Sequence, residues 1–168
     1  MKKILLFLFT SLLSISIFSQ TVNCENIYQI EIPNDMYLID ANPDAIFEIA
    51  NYIKEQYLQV FHESRLDFKK ALGSSEKSLL SDYTNLLKET YEEALNGKGL
   101  ISELPFKNYN AKKITLRGSI DGVPAVWHTI CIETELSMYQ IIYWTLEGES
   151  ERENLQKLFN TAKTFQEL

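Results

Sequence analysis

The stretch "KKITLRGSIDGVPAVWHTICIE", residues 112–133, decides the fold. Two runs of alternating apolar residues flank Asp121-Gly122, and this dipeptide between such runs is typical of a two-residue hairpin turn. A turn of that length sets the register of the two strands, so that Leu116 pairs with Trp127. The sequence therefore predicts an antiparallel hairpin whose second strand begins directly after Gly122.

Two residues of the second strand, His128 and Cys131, are of types that often carry chemistry. They are separated by an odd number of positions, so a regular strand points them to opposite faces of the sheet. A cysteine nucleophile needs its base within about 3 Å of the sulfur, which this geometry excludes. Both faces of the strand are largely apolar, which predicts a central strand that is covered on both sides.

The rest of the chain alternates between strand and helix patterns. Apolar residues at steps of three and four predict two main helices, at about 76–96 and 149–165. We expect Ser75 or Ser78 to cap the start of the first helix and Gly97 to end it. Alternating or β-branched runs predict further strands at 26–33, 45–51, 55–64 and 138–148. This order predicts an α+β fold, an antiparallel sheet with helices laid against it.

The chain begins with "MKKILLFLFTSLLSISIFSQ", in which two lysines precede an apolar run. The small residue Ser19 then stands before Gln20, as at a signal-peptide cleavage site. We predict a signal peptide at 1–19, a single domain at 20–168, and export to the periplasm or the medium. Signals ending in Ser-Gln resemble those common in the Bacteroidota.

The charge balance excludes some partners. The formal net charge is −7 at pH 7, and it becomes about −9 for residues 20–168 because Lys2 and Lys3 leave with the signal. No cluster of lysine and arginine interrupts this acidic background. Nucleic-acid binding needs a basic stripe and binding to anionic membranes needs a polybasic patch, so neither is expected. No membrane span is expected in the mature chain.

The two cysteines leave two questions open. In an exported protein an even number of cysteines suggests a disulfide, and Cys24 to Cys131 would clamp the first predicted strand onto the central sheet. Whether they pair depends on geometry that the sequence does not give. Cys24 is also a candidate for a lipid anchor, although Asn23 and Thr21 do not fit the residues that precede a lipidated cysteine.

No pattern predicts catalysis. The two histidines, His62 and His128, lack metal-ligand spacing, and neither a phosphate-binding glycine loop nor a G-x-S-x-G elbow occurs. We therefore expect no metal, no cofactor and no enzymatic activity. The alternative is a hydrolase in which His62 or His128 works with a distant carboxylate.

The whole mature chain resembles the PsbP-like superfamily, with its DcrB-like and Mog-type members. Three segments resemble its opening strand, its second and third strands, and its closing strand and helix: "YQIEIPNDM" (28–36), "NYIKEQYLQVFHES" (51–64) and "YQIIYWTLEGESERENLQKLFNTAKTF" (139–165). The chain departs from many members in lacking a tryptophan after "IPNDM". The resemblance implies an α/β/α sandwich and a non-catalytic binding or assembly role with an unknown protein or small-molecule partner. It implies no site residues.

Overall fold

Ten strands and three helices make up the described part of the computed structural model, which covers residues 19–73 and 77–168. All but the last residue of the predicted signal peptide lies outside that part. The strands are β1 (Gln20–Cys24), β2 (Tyr28–Ile32), β3 (Tyr37–Leu38), β4 (Phe47–Asn51), β5 (Gln56–Ser64), β6 (Lys98–Glu103), β7 (Asn110–Ile120), β8 (Val123–Glu133), β9 (Ser137–Leu146) and β10 (Gln166–Glu167). The helices are α1 (Arg65–Leu72), α2 (Leu80–Ala94) and α3 (Glu151–Ala162).

Seven strands form one antiparallel sheet in the order β3-β4-β5-β9-β8-β7-β6. The predicted hairpin register is confirmed, since Ile120 pairs with Val123 and Leu116 pairs with Trp127. β8 lies inside the sheet as expected, between β7 and β9. β9, rather than β8, is the middle strand.

Both faces of this sheet are covered, which gives the predicted α/β/α arrangement. α2 packs on one face against β6, β7 and β8, and α1 packs at the end of β5 on the same side. α3 packs on the other face against β5 and β9 and also contacts β2. The α3 side holds the main hydrophobic core, in which aromatic residues of the strands meet the helix; its largest members are Tyr28, Tyr139, Tyr143, Phe106 and Phe165.

The first strands do not join the large sheet, which corrects one expectation. β1, β2 and β10 form a separate three-stranded sheet in the order β1-β2-β10. Cys24 is the last residue of β1 and does not merely precede the first strand. The alternation in β2 still has the expected effect, because Tyr28, Ile30 and Ile32 are all buried in the core.

α2 begins later than the predicted helix at 76–96, because its first turn is capped from the sheet. Ser78 does not cap the helix; its hydroxyl donates to Glu133 at 2.6 Å. The Leu79 backbone N–H also donates to Glu133, at 3.0 Å. Glu133 therefore caps the start of α2. Ser75 lies outside the described residues.

The end of α2 also differs from the prediction. The left-handed residue there is Asn96, at φ 47°, and not Gly97. Gly97 is needed for another reason, because a Cβ atom at this position would lie 2.3 Å from the Arg117 carbonyl oxygen. The second main helix, predicted to reach 165, ends at Ala162, and β10 begins four residues later.

Candidate binding site

A cavity of about 1210 Å³ lies at one end of the large sheet, and we call it the end pocket. Six separate parts of the chain line it: the β1–β2 turn, the end of β5 with the start of α1, the segment before α2, the β6–β7 loop, the β8–β9 turn and the C-terminus. Its polar groups include His62, Arg65, Glu133, Ser137 and Glu167. These residues are far apart in sequence, so no local pattern could have predicted the cavity.

Glu133 is the most strongly held carboxylate of the end pocket. It is 8% exposed, and Arg65 Nε donates to its Oε1 at 2.8 Å. Burial alone raises the pKa of a carboxyl group, but the hydrogen bonds from Ser78, the Leu79 N–H and Arg65 outweigh it and hold the pKa of Glu133 below its usual value. Glu133 is therefore an ionised structural group, which is poorly suited to act as a proton donor at neutral pH.

His62 lies in the end pocket, where its Nε2 is 3.0 Å from Ser137 Oγ. This is the distance expected of a base and a serine nucleophile. Ser137 is only 6% exposed, and the Tyr139 ring lies 5.1 Å from the imidazole. Among the side-chain hydrogen bonds of the described residues, none joins a carboxylate to His62. The pair thus lacks the third group that orients the base in a catalytic triad.

His128 lies in a second cavity, of about 550 Å³, between α3 and strands β7 to β9. We call this cavity the α3 pocket. His128 Nδ1 lies 3.1 Å from Tyr143 Oη. Burial, followed by the positive charge of Lys113, lowers the pKa of His128 to about 4. The imidazole is therefore neutral at neutral pH.

The structure separates the histidine from the cysteine, as predicted. Cys131 lies in the cluster beneath α2 and α1, whereas Cys24 lies in the core on the α3 side. Both are buried free thiols, and burial raises the pKa of each, that of Cys131 to about 12. Such thiols are poor nucleophiles. The buried position of Cys24 at the end of β1 also argues against a lipid anchor there.

A row of aromatic side chains crosses the α2 face of the sheet from β8, at the edge of the area that α2 covers, to the β4–β5 turn. The Tyr57 and Trp144 rings stack at 3.8 Å with an interplanar angle of 9°. Tyr52 extends the row at one end and Trp127 at the other, each with its ring centre 6.0 Å from its neighbour. We call these four residues the aromatic row. Tyr52 is 60% exposed, whereas Trp127 is buried against Leu116.

Sequence reasoning identified Trp127 but missed the row. Its centre depends on the pairing of β5 with β9, in which Tyr57 lies opposite Trp144. These strands are more than 70 residues apart in the chain, and no turn between them sets their register. The alternation of aromatic residues in each strand was the only local signal.

The described residues contain neither a cluster of metal ligands nor a helix that could span a membrane. No group of three or more histidine, cysteine, aspartate or glutamate side chains is placed to hold a metal ion in residues 19–73 and 77–168. None of the helices in those ranges is long and apolar enough to cross a bilayer.

Comparison with known proteins gives a likeness in structure but not in sequence. No protein-family model matches the chain, and no curated protein matches it significantly. The Ran-binding protein Mog1p of Saccharomyces cerevisiae superposes with a TM-score of 0.59 at 8% identity, over 90% of this chain and 96% of that one. The cyanobacterial PsbP (CyanoP) of Synechocystis sp. PCC 6803 gives 0.58 at 14% identity, over 89% and 92%.

LpqN of Mycobacterium tuberculosis, which is involved in cell envelope biogenesis, superposes with a TM-score of 0.53 at 12% identity, over 83% of this chain and 82% of that one. At such identities the likeness concerns the fold, and function must be argued from the site. In each of the three superpositions most of both chains is matched. The chain therefore has the PsbP/Mog1-like fold.

Proposed function

We propose that this chain is an exported, non-catalytic binding or accessory module, and that a protein partner docks on the aromatic row. The observation that carries the proposal is the aromatic row itself, which runs from the buried Trp127 through the partly buried, stacked rings of Tyr57 and Trp144 to the exposed Tyr52, on a part of the sheet face that α2 does not cover completely. Ile53, beside Tyr52 in the β4–β5 turn, is 96% exposed. Aromatic side chains in such positions are enriched at protein interfaces and dominate their binding energy.

The charge around the row suggests the chemistry of the partner. The Tyr57 hydroxyl donates to Glu55 at 2.6 Å, which places a carboxylate at the rim of the aromatic surface. The protein as a whole carries a net charge of −7. A partner segment with apolar side chains and basic flanks would complement both features.

Proteins of this fold give the proposal its context. Mog1p is a Ran-binding protein by name, and LpqN is described as involved in cell envelope biogenesis. Fold alone does not transfer either role. These neighbours support a binding or accessory role only in general terms, so the identity of the partner depends on the surface.

Export is supported by the two lysines and the apolar run at the N-terminus. The first strand begins at Gln20, immediately after the predicted cleavage site, and would therefore be retained in the mature chain. Mass spectrometry of the protein purified from its native envelope or medium tests this. We expect an unmodified chain that starts at Gln20; a chain that starts at a lipidated Cys24, or that retains Met1, would contradict it.

Site-specific photocrosslinking tests the docking surface. A photoreactive amino acid at Ile53 should capture a discrete partner in native cells, and the same residue at Leu100, which is 77% exposed on the edge strand β6, should not. Tyr52→Ala should abolish the product, because it removes an exposed ring of the row without opening the core. Equal capture from Leu100, or capture that Tyr52→Ala leaves unchanged, would refute the proposal.

A second candidate function, serine hydrolysis, is favoured by one contact, the 3.0 Å distance between His62 Nε2 and Ser137 Oγ. A fluorophosphonate probe distinguishes the two candidates, since it labels activated serines covalently. Labelling of Ser137 that is lost in His62→Ala would establish a hydrolase. We expect no labelling, because Ser137 is 6% exposed and His62 has no carboxylate to orient it among the described residues.

A further inference from the structure

The α3 pocket differs in charge from the rest of the protein. Its lining includes three cationic side chains, Lys113, Arg117 and Arg152, against the single carboxylate of Glu151. The protein as a whole has 23 acidic and 16 basic residues. A local excess of positive charge around a cavity in an acidic protein attracts anions of low molecular weight.

One of these cations is already neutralised. Arg117 donates to Glu147 at 2.8 Å and to Glu151 at 2.5 Å. By contrast, neither Lys113 nor Arg152 forms an ion pair within the described residues. Lys113 is partly buried, and that burial lowers its pKa. An ammonium group that is partly removed from water and lacks a carboxylate partner is stabilised by a bound anion.

The remaining lining of the α3 pocket combines four apolar or aromatic residues with the polar Thr115, His128 and Gln156. Val126 and Tyr143 form the floor from the sheet, and Leu155 and Phe159 face them from α3. The volume of about 550 Å³ lies in the range of small-molecule sites, which combine apolar walls with a few polar groups that orient the ligand. A simple inorganic anion would leave these apolar walls unused.

From these observations we propose that the α3 pocket binds an organic carboxylate. The carboxylate lies against Lys113 and Arg152, and its apolar body lies between the sheet and the Leu155–Phe159 face of α3. This site is independent of the aromatic row, because His128 and Trp127, consecutive residues of β8, point to opposite faces of the sheet. Failure of one proposal does not affect the other.

Three probes with the same body and different heads test the proposal: 3-phenylpropanoate, 3-phenylpropanamide and 3-phenylpropan-1-amine. Each is titrated into the ¹⁵N-labelled protein while the amide resonances of residues in the α3 pocket are followed. We expect saturable shifts with the carboxylate and none with the amine. Equal shifts with all three heads would show apolar binding without anion selection and would overturn the proposal.

Matched variants assign the binding to Lys113. Lys113→Met keeps the apolar stem and removes the charge, and it should weaken binding of the carboxylate by about tenfold or more. Lys112→Met is the control, since Lys112 points to the other face and is paired with Glu103 at 2.6 Å. Arg152→Gln, at an exposed position, gives a second test that leaves the core intact. Unchanged affinity in both Lys113→Met and Arg152→Gln would refute the site.

Discussion

Replacing Glu133 by alanine tests whether the end of the large sheet is held together by one buried carboxylate. Glu133 accepts hydrogen bonds from Arg65 at 2.8 Å, from Ser78 at 2.6 Å and from the Leu79 N–H at 3.0 Å. Its side chain is 6% exposed and that of Arg65 is 22% exposed, so little water is available to replace the lost partner. The variant removes the carboxylate partner of Arg65, which keeps only its hydrogen bond to the Lys77 carbonyl, and it leaves the Leu79 N–H at the start of α2 without its acceptor.

The decrease in the free energy of unfolding caused by Glu133→Ala follows from these contacts. Breaking a buried charged pair and leaving its partners unsatisfied costs about 2–4 kcal/mol after allowance for the partial exposure of Arg65. For a domain of this size that corresponds to a fall in Tm of about 5–15 °C. Urea unfolding followed by circular dichroism measures it. Glu135→Ala, two residues along in the exposed β8–β9 turn, is the control and should change the free energy of unfolding by less than about 0.5 kcal/mol.

The effect should also depend on pH in one direction. The folded-state pKa of Glu133 lies below its unfolded value, so the stability that it contributes is fully present above the unfolded pKa of about 4.3. It is lost as the pH falls through the lower folded-state pKa. The difference in free energy of unfolding between wild type and Glu133→Ala should therefore shrink below about pH 4. Equal stability of Glu133→Ala and Glu135→Ala at pH 7 would refute this account.

Three further predictions concern His128, the two cysteines and Gly118. His128 should titrate near pH 4 by NMR. The free energy of unfolding should fall as the pH drops from about 6.5 toward 4, because His128 takes up a proton in the unfolded state before it does so in the folded state. His128→Gln should reduce this dependence on pH. Cys24 and Cys131 should react as two free thiols in the unreduced, denatured protein, and no reaction would reveal a disulfide. Gly118→Ala should cost about 1–3 kcal/mol in urea unfolding, because its Cβ would lie 2.4 Å from the Leu95 carbonyl oxygen; an unchanged midpoint would contradict this.

The local parts of the fold were predictable because their signals are local. Asp121-Gly122 joins two alternating runs, and the length of this two-residue turn is enough to predict the register of all eleven residue pairs between β7 and β8. The apolar stripes of α2 and α3 were likewise visible as steps of three and four. Even there the helix ends differ from the prediction by two to four residues. At the start of α2 the reason is a distant contact, since Glu133 of β8 accepts a hydrogen bond from the Leu79 N–H.

The candidate sites could not be predicted from the sequence, because they depend on contacts between distant segments. The end pocket is lined by residues from six separate segments. The aromatic row depends on the pairing of β5 with β9, and no turn joins these two strands directly. Glu133 resembles any acidic residue at the end of a strand, and only its burial and its partners distinguish it. Gly118 likewise depends on a distant contact, because a Cβ atom there would lie 2.4 Å from the carbonyl oxygen of Leu95 at the end of α2.

One strand links the aromatic row and the α3 pocket. Trp127 supports the row on one face of β8, and His128 forms part of the pocket on the other. A slip of one residue in the pairing of β7 with β8 would exchange the two faces, removing the indole from the row and placing it beneath α3. The two-residue turn at Asp121-Gly122 prevents that slip. The dipeptide that sets the fold therefore also decides which side chains each candidate site receives.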